Sequence, residues 1–180
     1  MEFALKPFAK TSLTVESLGV SVERTLSELK FRFDLANASG VRIPPIGDLR
    51  RGKDLWKRTC FEVFLGVPDS PEYFEWNFAP SGEWDYFSFA DVRTRSEWSR
   101  LSPLTGVRSA HWSQGPGLQL ELRLGLGFSD RLEWALANRR PLEVGLTAVL
   151  EASGGELSYW ATRHQANQPE FHARTSFATI

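Results

Sequence analysis

The chain has 180 residues, enough to bury a sizeable core, and its 42% hydrophobic and 24% charged residues are ordinary for a globular protein. Its 21 basic and 22 acidic residues leave a formal net charge of −1, which argues against nucleic-acid binding and against binding to an anionic membrane surface. These values predict one domain over residues 1–180.

The cellular compartment is addressed by the cysteine content and by the first residues of the chain. Cys60 is the only cysteine, so no internal disulfide can form. The segment Met1–Pro7 places an acid and a lysine where a signal peptide would have its apolar core. No apolar run approaches the roughly 20 residues that cross a bilayer. These features predict a cytoplasmic protein.

Alternation of apolar and polar residues dominates the chain and predicts half-buried strands. Residues with a preference for turns separate the alternating segments, as at Pro80-Ser81-Gly82. In chain order the predicted strands are Leu13–Val22, Leu29–Leu35, Thr59–Val67, Tyr73–Phe78, Asp85–Phe89, Val107–Trp112, Leu118–Leu124, Leu142–Glu151 and Glu156–Ala161. About nine short strands at this spacing predict an all-β fold, an antiparallel β-sandwich of the immunoglobulin-like or jelly-roll kind.

Two segments depart from this pattern. The only predicted helix is Asp130–Asn138, one or two turns with Ser129 as its N-cap. The longest predicted loop is Val41–Lys57, which carries two prolines and the basic residues Arg50 and Arg51. Long loops on a sandwich are where functional residues often lie.

Two consecutive strands carry the most informative polar residues. Alternation places Glu62 on one face of its strand, and it places Tyr73, Glu75 and Asn77 together on one face of the next. If these faces coincide, the acids and the amide form a polar patch bordered by Trp56 and Trp84. Aromatic faces stack on the C–H surfaces of sugar rings, and carboxylates and amides bind sugar hydroxyls. The alternative interpretation, an ordinary solvated sheet face, stays open.

Several sequence blocks resemble a known family. They are similar to bacterial DOMON-like proteins, which are related to the family 9 carbohydrate-binding modules. The blocks are Leu55–Leu65, Tyr73–Trp84, Gly145–Glu151, Ser158–Ala161 with His164, and Pro169–His172. The resemblance spans roughly Trp56 to Phe177 and implies a single DOMON-like β-sandwich.

The resemblance also implies a range of ligands. DOMON domains bind sugars or haem, and family 9 modules hold saccharide ends between tryptophans, often beside a structural calcium ion. Trp56 and Glu62 correspond to the tryptophan and the acid that open the family's central strand. Trp84 and Trp160 are candidate stacking residues by type and position, without a strict motif match. Non-catalytic binding of a sugar or a similar small polar ligand is therefore the first hypothesis, with a structural or protein-interaction domain and a haem-binding domain as alternatives.

Catalytic and metal-binding roles have less support in the sequence. His164 and His172 could hold a metal or haem iron, but Met1 is the only methionine and no dense acidic loop is present, so no metal or cofactor is expected. Cys60 lies within a predicted strand, where a thiol is usually inert. Glu62 and Glu75 could act as a glycosidase pair, because adjacent strands allow the separation, yet no other feature supports an enzyme.

The most specific prediction concerns the site itself. The residues expected to converge on one sheet face or its rim are Trp56, Glu62, Glu75, Asn77, Trp84, Trp160 and His164, with Arg50 or Arg51 close by. A register slip of one residue would reverse the face of either strand. If the acids do lie together, they should occupy a partly desolvated cleft, and a nearby arginine would relieve their repulsion.

Overall fold

The computed structural model describes residues 1–96 and 106–180 and confirms the predicted antiparallel β-sandwich. No helix among these residues is long and apolar enough to cross a membrane. In chain order the strands are β1 (Glu2–Ala4), β2 (Lys6–Pro7), β3 (Ser17–Arg24), β4 (Glu28–Ala36), β5 (Arg50–Arg51), β6 (Cys60–Gly66), β7 (Tyr73–Phe78), β8 (Glu83–Asp91), β9 (Thr94–Arg95), β10 (Val107–Gln114), β11 (Gly117–Gly125), β12 (Glu143–Glu151), β13 (Leu157–Ala161) and β14 (Ala178–Thr179).

The strands form two sheets. A five-stranded sheet has the order β1-β3-β4-β11-β10. A nine-stranded sheet has the order β2-β13-β12-β6-β7-β8-β5, with β14 pairing with β12 and β9 pairing with β8. All pairings are antiparallel except that between β5 and β8. The short strands β1, β2, β5, β9 and β14 were not predicted, because two or three residues carry no periodicity.

The apolar residues of the alternating strands meet between the two sheets and form the main core. Phe61 of β6 stacks on Phe33 of β4, with ring centroids 5.2 Å apart, and on Trp112 of β10 at 5.3 Å. These contacts join the sheets, since β4 and β10 belong to one and β6 to the other. Stacked aromatic pairs add about 0.5–1.5 kcal/mol beyond the area that they bury.

The helix α1 (Asp130–Ala137) lies where the sequence predicts it and ends one residue earlier. The Ser129 side chain accepts a hydrogen bond from the backbone N–H of Leu132 at 3.5 Å, which confirms the predicted N-cap. Leu132 and Leu136 of the helix are buried in the main core. The predicted loop Val41–Lys57 contains β5 and a single 3₁₀ turn over Leu55–Lys57.

Candidate functional site

The face of the nine-stranded sheet that points away from the five-stranded sheet, here called the outer face, carries a row of buried polar residues. Glu62 of β6 pairs in register with Asn77 of β7 and with Thr147 of β12. Glu75 lies two residues from Asn77 and therefore on the same face. The structure thus brings together the polar sides of the two strands.

The two glutamates of this row are almost completely buried, with 2% of Glu62 and 5% of Glu75 exposed. The Thr147 hydroxyl donates to Oε2 of Glu62 at 2.9 Å, and the Asn77 amide donates to Oε1 of Glu75 at 2.5 Å. The Cys60 thiol donates to Oδ1 of Asn77 at 3.7 Å. Each glutamate therefore keeps one carboxyl oxygen without a hydrogen bond from the surrounding described side chains.

The pKa values of Glu62 and Glu75 are both raised, chiefly by burial. Burial, reinforced by the nearby Glu75, raises the pKa of Glu62 to about 8. Burial also raises the pKa of Glu75 to about 7, opposed by the hydrogen bond from Asn77 and by the charge of Arg95. A proton is therefore retained on this pair near neutral pH, so the two carboxyl groups together can both donate and accept hydrogen bonds.

Above these acids lies a cavity of about 370 Å³, a size that suits a small ligand. Its floor is polar and its walls are largely aromatic. The lining residues are Trp56, Glu62, Glu75, Phe89, Arg93, Arg95, Val149, Tyr159, Pro169, Phe171 and His172. We refer to this cavity as the outer-face pocket.

Two arginines of the β8–β9 hairpin line the outer-face pocket. Arg93 makes a paired hydrogen bond to Glu170, with Nε–Oε2 at 3.1 Å and Nη2–Oε1 at 3.0 Å. The Arg95 guanidinium lies 4.2 Å from the centroid of the Phe87 ring, and its charge favours the ionised form of Glu75. The cationic groups that offset the buried acids therefore come from this hairpin.

The wall beside Glu75 is formed by His172. Its Nδ1 lies 2.8 Å from the Tyr73 hydroxyl, and its Nε2 lies 3.8 Å from Oε2 of Glu75. Burial lowers the pKa of His172 to about 4, with a further contribution from the charge of Arg93. The imidazole is consequently neutral at physiological pH.

The wall that His172 and Phe171 provide is held in place by Arg174. This guanidinium donates to the Glu143 carboxylate of β12 and to the backbone carbonyls of Ser70, Glu72 and Val67. Only 17% of its side chain is exposed. The partly buried Arg174 therefore ties the C-terminal segment to β12 and to the connection between β6 and β7.

Two of the predicted tryptophans lie elsewhere. Trp160 is 6% exposed and belongs to the main core, because its register partner Ala148 points between the sheets. Trp84 also packs against the main core and lies under the Arg51 guanidinium at 4.6 Å. Neither tryptophan lines the pocket, since strand alternation turns both to the opposite face of the sheet. Trp56 is the predicted tryptophan that lines the pocket.

His164 and the two predicted arginines are also outside the pocket. His164 donates from Nε2 to the carbonyl of Lys6 at 2.8 Å and packs edge-on against Phe8. Arg50 donates to the carbonyl of Ser81 and Arg51 pairs with Asp85, both at the edge formed by β5. These contacts correct the predicted placement of the three residues, because each side chain is engaged by its own sheet edge.

Besides Val149 and Pro169, the pocket residues that the site prediction omitted are Phe89, Arg93, Arg95, Tyr159, Phe171 and His172. Phe89 and Tyr159 alternate onto the outer face within predicted strands, so periodicity could have indicated them. The others lie in a two-residue hairpin strand, in its turn and in a non-periodic segment near the C-terminus. No local pattern shows that these segments fold against the same face.

The described residues provide neither the cluster of carboxylates that a calcium ion requires nor a pair of histidines that could hold a haem iron together. Within residues 1–96 and 106–180, no group of three or more His, Cys, Asp or Glu side chains could hold a metal ion. His172 and His164 are each engaged in hydrogen bonds in different parts of the fold. Burial and the adjacent acids raise the pKa of Cys60, so its thiol stays protonated and is a poor ligand or nucleophile.

Comparison with known proteins gives one informative result. No protein-family model and no curated protein matches the chain. Among solved structures, it is similar to a chain from Bacteroides uniformis described as a "putative carbohydrate-binding protein". The alignment has a TM-score of 0.63 and 13% identity, and it covers 98% of this chain and 85% of the Bacteroides chain. At this identity the similarity shows a shared sandwich fold.

Proposed function

We propose that this protein binds a saccharide, without catalysis, in the outer-face pocket. The observation that carries the proposal is the combination of a buried acidic floor with aromatic walls. Glu62 and Glu75 offer hydrogen-bond donors and acceptors at the bottom, and Trp56, Tyr159 and Phe171 offer apolar faces above them. Sugars present hydroxyl groups and C–H surfaces in the same combination.

The burial of the acids supports binding over the interpretation of a plain solvated sheet face. A carboxyl group on a solvated face stays hydrated and keeps its usual pKa, whereas burial raises the pKa of both Glu62 and Glu75. Leaving two acids buried costs stability unless another partner satisfies them. A ligand hydroxyl at the floor would provide such a partner.

The Bacteroides protein supports the proposal at the level of fold. Its description concerns carbohydrate binding, and the alignment covers 98% of the present chain. The finer assignment, that this chain is a DOMON-like domain related to the family 9 modules, is part of the same proposal. It depends on Trp56 and Glu62, which both line the pocket.

Calorimetric titration with neutral, acidic and phosphorylated mono- and disaccharides would test the proposal. We expect at least one saccharide to bind, and we expect Trp56→Ala and Glu75→Gln each to weaken binding by about 1–3 kcal/mol. Trp134→Ala is the matched control, because Trp134 is 59% exposed on α1 and does not line the pocket. No binding across the panel, or equal losses in Trp134→Ala and Trp56→Ala, would contradict the proposal.

Glycoside hydrolysis is the second candidate function, and one observation favours it. A pocket-lining acid with a raised pKa is what a general acid requires, and Glu62 and Glu75 both have one. The same titration samples can be analysed for hydrolysis products by chromatography. Products that disappear with Glu62→Gln would assign an enzyme; intact saccharides after prolonged incubation would support binding alone.

A further inference from the structure

We propose that His172 determines the specificity of the outer-face pocket by donating its Nε2–H to a ligand hydroxyl group that donates in turn to Oε2 of Glu75. The inference rests on the proposed function, since it names the group on the saccharide that the pocket recognises. Its geometry comes from the chain Arg93–Tyr73–His172–Glu75, in which each neighbour lies at a defined distance.

The first step is the tautomer of His172. The backbone N–H of Arg93 donates to the Tyr73 hydroxyl oxygen at 3.1 Å. Tyr73 is completely buried, so its own proton needs an acceptor, and among the described residues Nδ1 of His172 at 2.8 Å is the acceptor within reach. Nδ1 therefore carries no proton, and the neutral ring carries its proton on Nε2.

The second step is the gap between His172 and Glu75. Nε2 and Oε2 are 3.8 Å apart, which is too far for a direct hydrogen bond and short enough for one oxygen atom to bond to both. Both residues line the pocket, and Oε1 of Glu75 is already engaged by Asn77. A hydroxyl group at this point accepts from Nε2–H and donates to Oε2, a pair of roles that an ether oxygen or a methylene cannot perform.

The third step is the surroundings that keep the donor in place. Phe64 and Phe89 each pack in an edge-to-face arrangement with the imidazole, with ring centroids 5.3 and 5.1 Å from it. The charged groups that face it are Arg93, Arg95, Glu170 and Glu75. The ring is thus oriented by Tyr73 and by packing before any ligand arrives, which reduces the entropy lost on binding.

The tautomer can be measured without a ligand. Nitrogen-15 NMR of the full chain at pH 7 distinguishes protonated from unprotonated imidazole nitrogens, and His172→Gln identifies the His172 signals. We expect the proton on Nε2 in the native protein and a mixture of tautomers in Tyr73→Phe. Tyr86→Phe is the control, because Tyr86 is a buried phenol on the inner face of the same sheet. A proton on Nδ1 in the native protein would overturn the assignment.

The ligand contact is tested with methyl glycosides of glucose, galactose and mannose and their monodeoxy derivatives. For a glycoside that binds, we expect one deoxy position to weaken binding roughly 5- to 30-fold, the loss typical of one or two hydrogen bonds. In Tyr73→Phe and His172→Phe, binding of the parent should weaken similarly, and the same deoxy derivative should show little further loss.

Two outcomes would overturn the proposal, and they differ from failure of the proposed function. The first outcome is that the losses of affinity caused by the substitutions and by each deoxy derivative add independently, which would show that His172 does not contact a ligand hydroxyl. Unchanged glycoside binding in a folded His172→Phe protein, which keeps a ring but has no donor, would show the same. If no saccharide binds at all, the proposed function fails together with the ligand contact, and the NMR measurement alone still decides the tautomer.

Discussion

The outer faces of the two sheets are built by the same alternation of residues, and they differ in what covers them. On the five-stranded sheet, Lys30 pairs with Glu23 at 2.9 Å and Arg32 with Asp34 at 3.1 Å, with 39–64% of these side chains exposed. On the nine-stranded sheet, the outward-facing Glu62 is 2% exposed. The first set is exposed to solvent, whereas the second is buried and bonded by neighbouring side chains.

The difference arises from segments outside the long strands. Phe171, His172 and Phe177 from the C-terminal region, together with Trp56, pack onto the aromatic residues of the outer face of the nine-stranded sheet. The five-stranded sheet has no equivalent aromatic cover among the described residues. Alternation therefore decides which side chains point outward, and the connecting segments decide whether those side chains meet water or a pocket.

The largest expected effect comes from comparing two side-chain amides, one on the outer face of each sheet. Each amide donates a hydrogen bond to a carboxylate. Asn77 donates to Glu75 at 2.5 Å and is fully buried, while Gln119 donates to Asp34 at 2.6 Å on the solvated face. Asn77→Asp should lower the free energy of unfolding by about 3–5 kcal/mol at pH 8, because it buries a further negative charge. Gln119→Glu should cost about 1 kcal/mol or less.

Urea unfolding at pH 8 and pH 5 measures both substitutions. The loss in Asn77→Asp should shrink at pH 5, where the buried carboxyls hold protons. Equal losses in the two variants at pH 8 would mean that the buried polar row is as well hydrated as the solvated face.

Two arginines provide the second contrast, since each bonds to a glutamate on a neighbouring strand. Arg174 is 17% exposed and bonds to Glu143 and to three carbonyls, whereas Arg123 is 54% exposed and bonds only to Glu28 among the described residues. Arg174→Met should lower the free energy of unfolding by about 2–4 kcal/mol, because it leaves several acceptors unsatisfied. Arg123→Met should cost less than about 1 kcal/mol.

Chemical denaturation gives the two losses, and hydrogen exchange locates them. Faster exchange confined to the C-terminal segment in Arg174→Met would agree with its proposed role as the anchor of the pocket wall. If the segment stays protected in that variant, other contacts hold the wall.

The acidic row also predicts how stability depends on pH. Glu62 and Glu75 have pKa values raised to about 8 and about 7, so between about pH 5 and pH 8 the folded protein binds more protons than the unfolded chain. The free energy of unfolding should therefore fall by several kcal/mol as pH rises through this window, since each unit by which a pKa is raised corresponds to about 1.4 kcal/mol.

Glu62→Gln is the matched variant for this measurement, because it keeps the shape of the side chain and an acceptor for Thr147. We expect it to reduce the slope between pH 5 and pH 8 in a series of urea titrations and to leave the part that Glu75 contributes. Glu121→Gln on the solvated face should leave the slope unchanged. A wild-type protein whose stability rises steadily from pH 5 to pH 8 would contradict the buried pair.

The strands could be predicted because burial on one face imposes a period of two, and Tyr73–Phe78 has the predicted bounds. The polar floor could be predicted for the same reason. Trp84 was misplaced because it follows a turn, which leaves the direction of alternation undefined. Trp160 was misplaced although alternation with Tyr159 in the same strand indicates the inner face. Arg95 and His172 reach the pocket through long-range packing, which no local pattern encodes.

The smallest expected effect lies in the solvated ion pairs, and it sets the baseline for the comparison. Glu23 and Lys30 are 64% and 39% exposed, so water competes for both charges and salt screens them. Glu23→Gln should change the free energy of unfolding by less than about 0.5 kcal/mol in low salt, and the difference should vanish in 1 M NaCl. Arg174→Met should keep most of its loss at the same salt concentration, because its bonds are shielded from solvent. Parallel urea titrations at both salt concentrations make the distinction. A large, salt-independent loss in Glu23→Gln would mean that the five-stranded sheet is also covered in solution, and the contrast between the two outer faces would then have to be abandoned.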